Sequence, residues 1–446
     1  MSGGLPKRWS TVPIEEIIED FRPGFASGEK NVKGGVAHLR MNNIGLGGEL
    51  VLDLVRTVPE NLAKPHHDLR WGDVLVCTTN SGELVGKVAF FGLTGRYVFS
   101  NHLTRLRPKP DLVDGKFLRW NLWLHWKAGT FDDKCKHWVN QCALPKDALL
   151  ETEIVLPPLP EQRRIVAKLE KLLAKVDACQ KRLAKIPVLL KRFRQSVLAA
   201  ACSGRLTAGW REKNQVPDEA EDNDRPAGWD WVRLEELLPK GGIFDGPFGS
   251  NLKTSDYTDS GVRVIRLENV GCLRFIGEKE TYISQEKYET LKKHTVGEGD
   301  IIFASFIDEE IRACMLPKLE VTAIAKADCF CLRPKIDIVD RQYLTYQLVS
   351  RASYDSLSES VHGATRPRIN TTQLRRLEVR MCSLGEQKEI VHRVEALFTL
   401  ADQIEARCAR ANMHADNLAQ SILAKAFRGE LIPTEKEKLE PSAIGQ

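Results

Sequence analysis

The feature that most constrains this chain is an internal duplication. Leu159-Pro160-Glu161-Gln162 returns as Leu384-Gly385-Glu386-Gln387, an offset of 225 residues. Without a gap, the same offset carries Ile165-Val166 onto Ile390-Val391, Asp177 onto Asp402, and Gln195-Ser196-Val197-Leu198-Ala199 onto Gln420-Ser421-Ile422-Leu423-Ala424. Gly204 and Leu206 fall on Gly429 and Leu431. A repeat of this kind means one structural plan used twice. The segments ahead of it repeat more faintly. Pro6, Trp9, Val12, Glu15 and Glu16 match Pro226, Trp229, Val232, Glu235 and Glu236. Arg40 and Asn43 match Arg266 and Asn269, and Gly72-Asp73 matches Gly299-Asp300. Leu106-Arg107-Pro108-Lys109 matches Leu332-Arg333-Pro334-Lys335. Strong matches in one part and weak ones in the other imply a shared job for the first and two versions of a job for the second.

The strongly repeated part has a heptad pattern. Ile165, Leu169, Leu172, Val176, Cys179, Leu183, Ile186, Leu190, Phe193 and Val197 alternate four and three apart. Their copies are Ile390, Val394, Leu397, Ala401, Ile404, Cys408, Ala411, Ala415, Leu418 and Ile422, in the same register but smaller. Such a seam packs helix on helix, and large residues can face small ones. The simplest partner for each helix is its own copy; a second chain is the alternative. Pro160 suits a helix start, and Gly204 and Gly429 suit stops, so each helix spans roughly 40 residues, or about 60 Å. Pro187 lies inside the first helix and predicts a local kink, because it removes a backbone bond while the heptads run through it unshifted.

The segments ahead of the helices read as mixed α and β structure. Short apolar runs such as Val74-Leu75-Val76 and Ile301-Ile302-Phe303 follow Gly-Asp turns, and helices are expected over 117–127 and 342–351. The fold class is therefore α+β: two mixed modules joined by two long coiled-coil helices in a tandem repeat. The expected organisation is a first module at 1–157, a first helix at 158–206, a linker and second module at 207–382, a second helix at 383–432 and a tail at 433–446.

Composition narrows the function classes. Apolar residues are 42% and charged residues 28%, values of a folded globular protein. No run is long and apolar enough to span a bilayer, and residues 1–8 lack the apolar core of a signal peptide, so a cytoplasmic location is expected. A net charge of +5 is too small to establish a nucleic-acid partner. Its distribution is uneven: residues 159–205 carry 12 Lys or Arg against 3 acidic residues, while 384–430 carry 6 against 7. The basic side of the first helix, with Lys168, Lys171, Lys175 and Lys181, is open to three readings: solvated surface, DNA backbone track or partner dock. The 11 cysteines, Cys179 and Cys408 among them, read as reduced core thiols, and Cys329 and Cys331 as strand packing. Cys135, His137 and Cys142 form the best metal candidate, but no matching second pair lies nearby, so no bound metal is expected.

Catalytic machinery is missing from the sequence. The stretch 82–87 has glycines and a lysine, but the spacing is not that of a phosphate loop, and Val88 stands where Ser or Thr is needed. Neither a nucleotide fingerprint nor an Asn-Pro-Pro-aromatic methyltransferase motif is present. Asp111, Asp114 and Lys116 crowd into one loop and read as a solvated turn rather than a nuclease centre.

Taken together, the chain resembles the DNA-specificity subunit of type I restriction-modification systems. The likeness rests first on the helices, from Leu159-Pro160-Glu161-Gln162 through Leu206 and from Leu384 through Leu431. It rests also on Gly24-Phe25-Ala26-Ser27-Gly28, Leu39-Arg40-Met41-Asn42-Asn43-Ile44 and Glu83-Leu84-Val85-Gly86-Lys87 in the first module. In the second, Asp245-Gly246-Pro247-Phe248-Gly249-Ser250-Asn251-Leu252-Lys253 and Ile265-Arg266-Leu267-Glu268-Asn269-Val270 carry it. The resemblance implies antiparallel helices and a non-catalytic subunit that binds double-stranded DNA, two methyltransferase subunits and two restriction/translocase subunits. S-adenosylmethionine, ATP and Mg would belong to those partners, with no cofactor on this chain. The DNA target would be bipartite, its half-sites about one helical turn, roughly 34 Å, apart.

Reading DNA needs phosphate contacts that position each module and a few side chains that reach base edges. By residue type and place, the candidates in the first module are Ser27, Lys30, Lys33, Arg40, Asn42, Asn80, Ser81 and Lys87. In the second they are Ser250, Asn251, Lys253, Arg266, Asn269, Arg366, Arg368 and Asn370. For any one of them, a turn or surface role competes with DNA contact. Trp9 and Trp229 are expected in the core.

Overall fold

The computed structural model describes residues 6–29, 31–138, 141–216, 226, 228–249, 251–359 and 367–432. The chain forms two compact units, one from residues up to Ala184 together with those from Arg410 onward, the other Lys185–Ala409. The fold is α+β, and each unit holds one module with parts of both long helices.

In the first module an antiparallel sheet runs in the order Ile18–Pro23, Leu103–Pro108, Val74–Cys77, Val88–Phe90. All four residues of Val74–Cys77 are buried because both faces of the sheet are covered. Val74 and Val76 pack with Phe117, Leu118 and Leu122 of helix Gly115–Lys127. Leu75 and Cys77 point the other way, toward Leu39, Phe91 and Phe99. The latter side carries a second sheet in which Val36–Leu39 pairs parallel with Tyr97–Phe99 and antiparallel with Arg56–Val58.

The second module repeats this plan. Its sheet order is Ile243–Phe244, Cys329–Leu332, Ile301–Ala304, Ala313–Met315. Ile301 and Phe303 face Leu344 on helix Arg341–Leu348, while Ile302 and Ala304 face Ile265 and Ala325. The parallel pair returns as Val262–Ile265 beside Ala323–Ala325. Helix Arg351–Glu359 follows as a separate element. Cys329 and Cys331 are fully buried, and Trp9 and Trp229 are core residues at 8% and 2% exposure, as expected.

The faint repeats are structural contacts. Arg107 holds Asp73 with two bonds, Nε to Oδ1 at 2.7 Å and Nη2 to Oδ2 at 2.8 Å, and Arg333 holds Asp300 in the same way at 2.9 and 2.8 Å. The paired lysines reach back to the start of each module. Lys109 Nζ donates to the carbonyl of Glu16 and Lys335 Nζ to that of Glu236. The strongest repeat is explained by its glutamine. Gln162, fully buried, donates through Nε2 to the carbonyls of Leu112 and Pro157 and accepts from the Asp114 amide. Gln387 makes the same three bonds, to Ile338, Cys382 and Asp340. Each glutamine staples the long helix to the segment that enters the module helix. Asp114 and Asp340 cap those helices, each accepting from two amides, a role worth about 1 kcal/mol. Asp114 is therefore a helix cap, and Lys116 pairs with Glu170.

The second long helix is unbroken over Leu384–Phe427, while the first is divided into Leu159–Leu183 and Ile186–Cys202. Pro187 stands in the first turn of the resumed helix, where its missing N–H and fixed φ are tolerated. The expected distortion is an interruption at Ala184 and Lys185, both still right-handed at φ −60° and −83°. Gly204 and Gly429 follow the helix ends with φ of 74° and 79°, the left-handed region glycine enters without strain.

The helices pack antiparallel. The beginning of the first shares a core with the end of the second, through Ile165, Leu169 and Val176 with Ala415, Ile422 and Phe427. In the other unit the end of the first packs on the beginning of the second, through Val197 and Ala201 with Ile390 and Val394. The seam is narrower than the heptads suggest. Leu169, Val176, Leu190 and Val197 are buried, as are Val394, Ala401, Cys408, Ala415 and Ile422. Leu172, Leu183 and Leu397 are half-buried, whereas Cys179, Phe193, Ile404 and Leu418 are exposed. Cys179 is thus not a core thiol. Small residues on the second helix let the rods approach along one column of each heptad, which turns the other column outward.

Candidate nucleic-acid interface

Most of the candidates lie in loops at the same end of each module's main sheet. In the first module, strand Ile18–Pro23 runs out into 24–28 and Val74–Cys77 into 78–87, while 100–102 leads into Leu103–Pro108. Cross-bonds tie these segments together: Gly24 N to Leu103 O, Asn101 N to Phe25 O, and Thr78 N to His102 O. A side chain at Gly24 would run into the backbone of Phe99 and Ser100, and one at Gly246 into that of Ala325 and Lys326. Glycine is required at both for the close approach of two strands. In the second module the corresponding loops are 245–253, 305–312 and 326–328. Phe306 bridges to Arg368 here as Thr79 pairs with Ala143 in the first module.

Ser81 is exposed on these loops, Asn42 on the neighbouring segment after strand Val36–Leu39, and Lys33 on the segment that precedes that strand. Ser27 Oγ donates to the carbonyl of Glu29, a local turn bond. Asn80 is half-buried, its Oδ1 accepting from Ser81 N and its Nδ2 donating to Cys77 Sγ. Arg40 Nη2 donates to the carbonyl of Leu54, and burial, with Arg56 nearby, lowers its pKa. Lys87 does not belong to a DNA surface. It is 6% exposed, and Nζ is spent on the carbonyls of Met41 at 3.1 Å and Ile44 at 2.7 Å. Burial also lowers its pKa.

In the second module Asn251 and Lys253 are exposed. Arg266 pairs with Glu268 and bonds to Thr281. Asn269 is a second correction: it is 1% exposed, its Oδ1 accepts from Arg266 N, and its Nδ2 donates to Ile276 and Lys279 carbonyls. Asn43 does the same in the first module. The repeated Arg-x-x-Asn is thus a turn lock, and the side chain matched to exposed Asn42 is Glu268. Asn370 caps helix Thr371–Arg375. Lys30, Ser250 and Arg366 lie outside the described residues.

Arg368 is an exposed cation of the set, flanked by two aromatic rings. Its side chain is 44% exposed, pairs with Asp328 at 2.5 Å, and lies 5.9 Å from the ring centres of both Phe248 and Phe306. Phe248 is itself 54% exposed at the loop tip. Reasoning from residue type chose the polar neighbours and passed over this phenylalanine. Its signal was an aromatic residue between two glycines in a turn, Pro247-Phe248-Gly249. Along the first helix Lys168, Lys171, Lys175 and Lys181 are exposed, and Lys181 pairs with Asp177. Among the described residues no helix is long and apolar enough to cross a membrane.

Known proteins share this architecture. The family model described as the type I restriction modification DNA specificity domain matches residues 6–188 and again 226–409. The type I restriction enzyme StySPI specificity subunit of Salmonella potsdam is 30% identical over 96% of this chain and 90% of its own. A solved structure from work on assembly and conformational transition of the type I R-M system is 21% identical. It superposes with a TM-score of 0.70 over 96% of this chain and all (100%) of that one. The HsdS subunit from Thermoanaerobacter tengcongensis, 20% identical, gives 0.60 over 96% and 98%. The chain belongs to the type I restriction modification DNA specificity family.

Proposed function

We propose that this chain is the non-catalytic, sequence-reading subunit of a type I restriction-modification complex, each module reading one half of a bipartite DNA site. The observation that carries this reading is a duplicated, stapled scaffold whose two loop ends differ in their exposed polar and aromatic residues. In this reading phosphate contacts from Lys33, Lys253 and Arg368 position the modules, while Asn42, Ser81 and Asn251 reach base edges. The paired helices set the spacer and dock two methyltransferase subunits, with two restriction/translocase subunits completing the complex. The apolar side chains left outward at Phe193 and Ile404 support a docking role, since exposed apolar patches mark interaction sites. S-adenosylmethionine, ATP and Mg are assigned to the partners.

Methylome sequencing of cells expressing this chain with its methyltransferase tests the reading. A two-part methylated-adenine motif with a fixed gap is expected, and a continuous motif contradicts the division of labour. DNA affinity of the methyltransferase complex should fall steeply as salt rises, because neutralised phosphates release counterions. Salt-insensitive or absent binding would leave a protein adaptor, and methylation by the isolated chain would make it an enzyme.

A further inference from the structure

The first module has a cluster of metal-binding side chains that has no counterpart among the described residues of the second. Strands Lys136–His137 and Cys142–Ala143 pair antiparallel with His137 opposite Cys142, and Cys142 in turn faces Asn80 on strand Thr79–Asn80. The ligand atoms of Asp132, His137 and Cys142 all lie within 4.8 Å of one another, and His137 Nε2 is 3.7 Å from Asp132 Oδ1. Cys135 is half-buried beside Cys142. Asp132 Oδ1 is buried and has no hydrogen-bond partner. The sequence offered Cys135, His137 and Cys142 and no second pair. The fold supplies the fourth donor, Asp132, from the turn after helix Gly115–Lys127.

We propose that Asp132, Cys135, His137 and Cys142 form a structural zinc site that braces this hairpin. Two sulfurs, one imidazole and one carboxylate suit Zn²⁺ or its surrogate Co²⁺ and not Mg²⁺ or Ca²⁺. Tetrahedral bonds of about 2.0–2.3 Å place ligand atoms roughly 3.3–3.8 Å apart, so for Asp132, His137 and Cys142 closure takes shifts of about 1 Å. Each thiol gives up its proton to solvent as its sulfur bonds the metal, so two protons leave per ion bound. The sheet being braced has two residues per strand, too few to hold alone, and it carries Asn80 beside exposed Ser81. Matched backbone bonds, Leu144 N to Thr78 O and Ile369 N to Ser305 O, set Pro367 in the place of Cys142. The second module therefore has no thiol there.

The test is the full chain purified under reducing conditions without chelator. Elemental analysis should find about one zinc per chain, and Co²⁺ added to the stripped protein should give thiolate charge-transfer and tetrahedral d–d bands. His137→Ala alters an exposed side chain, and it and Cys135→Ser should each reduce bound metal to below about 0.2 per chain. The unfolding of the metal-free variants should match that of metal-free wild type. Two results overturn the proposal: wild-type protein without zinc and with a featureless cobalt spectrum, or full metal content in His137→Ala.

Discussion

The two halves of the molecule agree where module meets helix and diverge where the loops face outward. Gln162 and Gln387 make the same three bonds, and Asp73 with Arg107 repeats as Asp300 with Arg333. One junction residue departs from this. Glu386 is buried in a network with Arg211 at 2.5 Å, Thr207 at 2.6 Å and Trp229 Nε1 at 3.1 Å. Among the described residues its counterpart Glu161 has a buried Oε1 without a hydrogen-bond partner, and so has the Trp9 indole N–H. The two copies thus share the contacts that orient a module on its helix, while among the described residues the ionic lock stands in one copy and the exposed loops differ.

The largest effect should come from that inequality. Glu386→Ala strands Arg211, 8% exposed, without its carboxylate and should cost about 3–5 kcal/mol in urea unfolding. Glu161→Ala should cost under about 1 kcal/mol; equal losses would erase the difference. Next, Gln162→Ala and Gln387→Ala should each cost about 2–4 kcal/mol by leaving a buried amide and carbonyls unpaired, and a clear imbalance between them would break the claim of equivalent staples.

Smaller effects sharpen the contrast between scaffold and loop. Arg368→Ala should weaken DNA binding by about 10-fold and lower the salt slope by about 1, with stability within about 0.5 kcal/mol. Lys87→Met should leave the salt slope unchanged, since its amine is bonded inside the module. The smallest is Pro187→Ala. Restoring the helical N–H should raise far-UV helicity and shift stability by less than about 1 kcal/mol, and an unaltered helix signal would mean that something other than the proline maintains the break.

Legibility followed the range of the interactions. Heptads and helix stops depend on residues a few positions apart, so both long helices and their glycine ends could be read directly. The Gly-Asp and Leu-Arg-Pro-Lys repeats were visible as letters, but their meaning as an ion pair needed strands Val74–Cys77 and Leu103–Pro108 side by side. The candidate site was the least legible part. Polar residue type does not tell a loop lock from a loop tip, so Asn269 and Lys87 were chosen although both are enclosed, and Phe248 was missed although it is exposed.

By itself the sequence determined the duplication, the α+β class, the two rods and the interruption at Pro187, since periodicity and local backbone chemistry are written along the chain. Only the tertiary structure decided which column of each heptad is buried, which repeated residues are staples and which face outward. It also decided that Asp132 comes together with His137 and Cys142. Those outcomes depend on segments far apart in sequence meeting in space, and burial and hydrogen-bond satisfaction are properties of the meeting, not of either segment alone.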